Sequence, residues 1–160
     1  MPIDWEKADL DALIANFRSK GVISHPVFLE AMERRERKGP NALDFKKTLV
    51  AVREAAAHGR FLSYKAVAEA SDVAFEKVHW SVGSHLLRLL EYARGHGWPP
   101  LSAIVVNIQH VDTGRMEESA LQGFLSGARA VGYEVAGDDE TALRSLQQAV
   151  FAWARAGDVS

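Results

Sequence analysis

The residues best suited to contact another molecule lie on one face of a helix predicted from about Ala74 to Arg94. Opposite the apolar stripe of this helix, at about 100° per residue, five side chains share a face: Lys77, Trp80, Ser81, Ser84 and Arg88. Amino, guanidinium and hydroxyl groups bind phosphates and base edges, and an exposed indole stacks on bases or wedges between them. The spacing predicts a contact surface. The alternative is a solvated helix face, with Trp80 packed against the N-terminal helices.

A second candidate group comes just before this helix. Ser63 is a suitable N-cap for a short helix over residues 64–70, and Tyr64 and Lys65 stand in its first turn, where free amides attract phosphate. A simple cap without a ligand is the alternative. Because residues 71–73 predict a tight turn, residues 63–94 have the form of a helix-turn-helix, whose second helix usually enters a groove of DNA.

Catalytic and metal chemistry have weaker support. The chain has no cysteine, and no two of its six histidines have the spacing of four that places a metal pair on one helix face. His79, at the edge of the apolar stripe, is expected to be a buried, hydrogen-bonded histidine. His96, His110 and Asp112 flank a predicted strand and could meet in a hydrolytic or metal site. No motif specifies that site, so we expect no catalytic residue, metal or cofactor.

Composition places the chain among ordinary globular domains. Its 160 residues are 48% hydrophobic, which predicts one domain with a full core. The lack of cysteine, of a signal peptide and of an apolar run approaching about 20 residues favours a cytoplasmic protein without a membrane partner. The net charge is only −2, yet residues 34–65 hold nine cations against three carboxylates, an excess that permits a surface for a polyanion.

The predicted elements are mostly helices. Caps, glycines and apolar spacing predict them over residues 4–19, 26–38, 44–58, 64–70, 74–94, 117–131 and 139–156. Residues 101–108 predict a strand, whose partner must lie near 60–62 or 131–135 because a lone strand cannot satisfy its backbone. We therefore expect a mainly helical α+β fold with a winged-helix-like centre. Residues 1–40 are assigned to an N-terminal helical extension, and residues 41–160 to the winged-helix-like domain with its C-terminal helices.

Three segments between residues 59 and 114 match one family in order and character: 62–68 (LSYKAVA), 82–83 (VG) and 100–106 (PLSAIVV). They resemble the C-terminal domain of the alkyltransferase and alkyltransferase-like DNA-repair family. The resemblance implies a DNA-binding scaffold, with Tyr64 near a phosphate and Trp80 as a wedge in place of the family's finger arginine. The reactive cysteine is missing and Ser102 lies near its position, so alkyl transfer to a thiolate is impossible.

Two functions follow as expectations. The first is non-catalytic DNA binding through residues 63–94. The alternative is a protein-interaction module, such as an inhibitor, an antitoxin-like partner or an adaptor, in which Trp80 would be a binding hot spot. The strand segment is also similar to a pattern in bacterial proteins linked to restriction and phage conflict, which sets the context of that alternative. The sequence leaves the oligomeric state open, and a dimer is possible.

Overall fold

The computed structural model describes residues 2–157, which form seven helices and two short strands. In chain order these are α1 (Leu10–Ser19), α2 (Pro26–Glu36), α3 (Phe45–Ala57), β1 (Leu62–Ser63), α4 (Tyr64–Ala70), α5 (Phe75–Gly95), β2 (Val105–Val106), α6 (Glu118–Ala130) and α7 (Asp139–Gly157). Short 3-10 turns at Leu101–Ile104 and Ile108–His110 flank β2. The prediction of a mainly helical α+β fold is confirmed.

Side-chain caps explain where the helices begin. Asp44 caps α3 and Ser63 caps α4, each by accepting a hydrogen bond from a backbone amide of the first turn, as predicted. The predicted start of the first helix at Asp4 is wrong. Asp9 caps α1 instead, and residues 4–7 form a separate turn.

The long helix α5 positions the candidate contact surface. Its apolar stripe is buried, as the three- and four-residue spacing predicts, at Val78, Val82, Leu86, Leu89, Leu90 and Ala93. The helix packs against α4, which precedes it across the turn at residues 71–74. Opposite the buried stripe, residues 76, 77, 79–81, 83, 84, 87 and 88 of α5 are exposed.

The sheet is much smaller than the predicted strand. β1 and β2 pair in parallel over two residues each, with Leu62 opposite Val105. The predicted strand over residues 101–108 is thus correct only at β2, because the Ala103 amide donates to the Pro100 carbonyl at 2.9 Å and closes a 3-10 turn. All of residues 101–106 are buried. A continuous apolar run marks burial without deciding between strand and other structure.

The partner of β2 is β1, at the first of the two predicted positions. Residues 131–135, the second, form the turn and loop that follow α6. The pair joins the start of α4 to the segment that follows α5, so the sheet connects the two ends of the α4–α5 segment. The α+β class follows from these two strands.

One hydrophobic core receives side chains from every helix. Phe28 and Ala31 of α2 have no exposed surface, and α2 contacts both α3 and α5. The last helix, α7, packs along α3. A division of the chain at residue 40 stays a prediction. None of the helices within residues 2–157 has the length and apolar character needed to cross a membrane.

Candidate nucleic-acid interface

Trp80 projects from the outer face of α5. It is 77% exposed, more than any other large hydrophobic side chain in the described part of the chain. Its indole lies against the imidazole of His79, with 3.8 Å between the ring centroids. The two rings form an exposed aromatic pair whose outer surface has no covering from the rest of residues 2–157.

Three polar side chains surround this pair on the same helix. Lys77, Ser81 and Ser84 are all exposed, and none of their side chains makes a hydrogen bond or ion pair within residues 2–157. An ammonium group and two hydroxyls are thus available to an external ligand. These donors suit phosphate oxygens and base edges.

Arg88 differs from the other predicted site residues because the chain itself already binds it. Its guanidinium donates from Nε to Glu36 Oε1 at 2.6 Å and from Nη2 to Glu36 Oε2 at 2.9 Å. The side chain is half exposed, while that of Glu36 is only 5% exposed. Arg88 therefore serves first to neutralise a buried carboxylate, and contact with a phosphate would compete with that bond.

At the start of α4 the predicted cap is present, but the two candidate side chains, Tyr64 and Lys65, differ in exposure. Ser63 Oγ accepts from the Ala66 amide at 3.1 Å, so one of the free amides is already satisfied. Lys65 is exposed, with its ammonium 3.9 Å from a carboxylate oxygen of Glu69. Tyr64 is partly buried. Burial and the nearby Glu117 carboxylate raise the pKa of its phenol.

Carboxylates offset much of the basic segment at residues 34–65. Ion pairs within residues 2–157 join its cations to acidic side chains at Arg34–Glu30, Arg35–Asp11, Lys46–Glu33, Lys47–Asp72 and Lys65–Glu69. Two of its arginines also lie over tryptophan rings, Arg34 over Trp5 and Arg53 over Trp153. The charge excess evident in the sequence is therefore spread over several faces and partly neutralised.

A buried polar network that the sequence analysis missed lies behind the candidate surface. His85 has no exposed surface; its Nδ1 lies 2.7 Å from Glu36 Oε2 and its Nε2 lies 2.8 Å from Thr48 Oγ1. The order carboxylate, imidazole, hydroxyl is that of a hydrolytic triad. Thr48 is also fully buried, so no substrate can reach the hydroxyl. The network is structural, since it joins α2, α3 and α5.

The signal for this network was present in the sequence. His85 falls three residues after Val82 and four before Leu89, within the apolar stripe of α5. A histidine on a buried stripe requires polar partners. The partners come from α2 and α3, and nothing in the local pattern of α5 names them.

The expectation of a buried His79 is wrong. His79 is exposed, and its Nδ1 lies 3.1 Å from the Glu76 carbonyl oxygen of its own helix. The other histidines near the predicted strand have separate partners. His96 stacks on Trp98 with 4.1 Å between centroids, and His110 Nε2 lies 3.4 Å from Glu117 Oε1. Within the described residues, no three histidine or acidic side chains are grouped so that they could hold a metal ion.

The geometry thus brings together the central part of the predicted site and separates the rest. Trp80, Lys77, Ser81 and Ser84 share one open face, Arg88 is bound to Glu36, and Tyr64 turns from the surface toward a pocket that it helps to line. No protein-family model matches this chain, and comparisons with curated proteins and with solved structures also find no match.

Proposed function

We propose that this protein binds DNA without acting on it catalytically. In this proposal α4 and α5 form the helix-turn-helix of a winged-helix-like centre, and the outer face of α5 meets the nucleic acid. The observation that carries the proposal is the 77% exposure of Trp80 on the second helix, beside an imidazole and three unengaged polar side chains. An indole in that position would stack on bases or wedge between them.

The charge distribution supports binding of moderate strength. Lys77 on α5 and Lys65 on α4 are exposed and lie on the two helices of the motif. Five of the nine cations in residues 34–65, Lys65 included, are paired with carboxylates, which reduces the number of groups available for phosphate contact. We therefore expect affinity to depend on a small number of phosphates, and base contact through Trp80 to contribute a larger share than it does in strongly basic proteins. A cytoplasmic location belongs to the same proposal.

Fluorescence anisotropy with labelled duplex and single-stranded DNA tests this function. Binding is expected to weaken with salt through counterion release, and Trp80→Ala is expected to lose about 1–3 kcal/mol of binding free energy, the usual contribution of base stacking. Val50→Ala is the matched control, because Val50 is also a large exposed hydrophobic residue (65%) but lies on α3. Absence of binding at low salt, or equal losses in the two variants, would contradict the proposal.

Two lysine variants distinguish a direct phosphate contact from the effect of the overall charge of the protein. Lys77→Ala is expected to reduce the slope of log K against log salt by about one, the change for one lost phosphate contact. Lys20→Ala removes the same charge from an exposed position beyond α1 and is expected to leave the slope unchanged. An equal change in both variants would place the contact elsewhere.

The second candidate function is a protein-interaction module, an inhibitor, antitoxin-like partner or adaptor of a bacterial restriction or phage-conflict system. The observation that favours it is the neutralisation of the basic segment, together with Leu87, which is 51% exposed and lies two turns after Trp80 on nearly the same face of α5. Tryptophan is enriched among the residues that contribute most of the binding energy at protein interfaces, and Leu87 extends the apolar surface of the same helix face. A photo-crosslinking residue at Ser81, compared with one at Ser126 on α6, would capture such a partner only at Ser81.

A further inference from the structure

A pocket of about 210 Å³ opens between α5, α6 and the segment that contains β2. Its walls are mostly apolar and include Leu86 and Phe124. Gly83 of α5 and Gly123 of α6 also line it, and a Cβ added at either position would meet no atom within 4 Å. Helix packing therefore does not require these two glycines. Their effect is to leave space in the pocket that a side chain would otherwise take.

Two hydroxyl groups in the lining lack partners. Tyr64 and Ser102 both line the pocket, and neither hydroxyl has a hydrogen-bond partner in residues 2–157. Within those residues, the inaccessible side-chain polar atoms without a hydrogen-bond partner are the Nε atoms of Arg34 and Arg53. The Ser102 hydroxyl is therefore accessible even though the residue is only 5% exposed. The pocket is the space to which it is open.

The absence of charge in the lining limits which kinds of ligand the pocket can bind. None of the residues that line the pocket is charged. The phenol of Tyr64, whose pKa is raised by burial and by Glu117, stays protonated and can donate a hydrogen bond. A carboxylate or phosphate would lose its hydration here without gaining a cation. The lining therefore favours a neutral ligand.

We propose that this pocket binds a small neutral aromatic molecule that carries one hydrogen-bonding group. A dry cavity on the order of 150 Å³ accommodates benzene, so the space here suits a single substituted ring or a fused pair of rings. Phe124 and Met116 in the walls supply ring and thioether contacts that favour an aromatic ligand. The hydroxyls of Tyr64 and Ser102 would bind its polar group. The pocket does not depend on DNA binding.

Titration of the ¹⁵N-labelled full chain with phenol, and separately with toluene, tests the proposal by NMR. Both probes are expected to give saturable shifts of the Gly83 and Gly123 amides. Ser102→Ala removes one hydroxyl and keeps the cavity. It is expected to weaken phenol binding about two- to tenfold, the effect of one hydrogen bond, and to leave toluene binding unchanged. Equal effects on the two probes would overturn the role of the hydroxyl.

A variant that fills the pocket provides a second test of the proposal. Gly123→Leu is expected to abolish the phenol shifts at Gly83, and the variant should fold because a Cβ at this position meets no atom within 4 Å. Ser126→Leu places the same side chain at an exposed position of the same helix and is expected to bind phenol as wild type does. Absence of saturable shifts in the wild type, or unchanged binding in Gly123→Leu, would overturn the proposal. So would shifts at these glycines that follow protein concentration without a probe, because a second copy would then occupy the pocket.

Discussion

His85 and Glu36 join α5 to α2 through a hydrogen bond that solvent cannot reach. His85 Nδ1 lies 2.7 Å from Glu36 Oε2, and the two side chains are 0% and 5% exposed. Because an ionised carboxylate can only accept hydrogen bonds, Nδ1 of His85 carries the proton of this bond. The other ring nitrogen, Nε2, contacts the Thr48 hydroxyl. Arg88 donates to both oxygens of the same carboxylate, from Nε to Oε1 and from Nη2 to Oε2. Four side chains from three helices thus satisfy one another.

Removal of the Glu36 carboxylate is expected to destabilise the fold. Glu36→Ala leaves the buried imidazole without its acceptor, and we expect a loss of about 2–3 kcal/mol in the free energy of unfolding. Glu36→Gln keeps an acceptor and is expected to lose less. Glu69→Gln, which breaks only the exposed pair with Lys65, serves as the control and should change stability by under about 0.5 kcal/mol. Urea denaturation measures all three, and equal losses for Glu36→Ala and Glu69→Gln would contradict this role.

The same carboxylate should make stability depend on pH in the acid range. Burial alone would raise the pKa of Glu36, but the hydrogen bonds from His85 and Arg88 outweigh it and hold the pKa below the ordinary value of 4.5. A carboxyl with a lowered pKa in the folded state contributes its full stabilisation above 4.5 and loses it as the pH falls through the folded-state pKa. Thermal unfolding between about pH 6 and about pH 3 should show this loss in the wild type and a smaller one in Glu36→Gln. If the melting temperatures of the two proteins fell in parallel as the pH decreased, Glu36 would not be the source of the pH dependence.

Gly95 is required by a close approach that the sequence does not reveal. A Cβ at this last residue of α5 would lie 2.2 Å from the carbonyl oxygen of Ile23. Gly95→Ala must displace backbone, and we expect a loss of about 2–3 kcal/mol. Gly83→Ala is the matched control, because its Cβ meets nothing and alanine favours the helix by about 0.5–1 kcal/mol. Denaturant unfolding should show a lower free energy of unfolding for Gly95→Ala and a higher one for Gly83→Ala. A stabilising Gly95→Ala would refute the close approach.

Trp80→Ala is expected to leave stability nearly unchanged. With 77% of its surface exposed, Trp80 contributes little burial, so the change in unfolding free energy should stay within about 0.5 kcal/mol. Trp98→Ala, in the partly buried cluster with His96 and Trp153, should cost several times more. Calorimetric melting of both variants checks the contrast. A large loss for Trp80→Ala would mean that this indole packs on the protein, and would remove its availability to a ligand.

Local rules determined most of the secondary structure of this protein. The caps at Asp44 and Ser63, the apolar stripe of α5 and the glycines after the helices each act within a few residues, so the spacing predicted α2 to α7 with small errors at the ends. Spacing also placed Trp80 on the outer face of α5 but left open whether the N-terminal helices cover it, and the structure leaves it 77% exposed. The start of α1 was missed because Asp4 and Asp9 are equally good caps in sequence.

The tertiary structure decided which charges and polar groups are available. Glu36 forms hydrogen bonds with residues 49 and 52 positions away in the chain, and Arg35, Lys46 and Lys47 find carboxylates on neighbouring elements. Such partners depend on how helices pack, and no local pattern encodes them. The exposed imidazole of His79 and the buried one of His85 show the same limit. Spacing placed both near one stripe, and only the packing of α2 and α3 against α5 enclosed one of them.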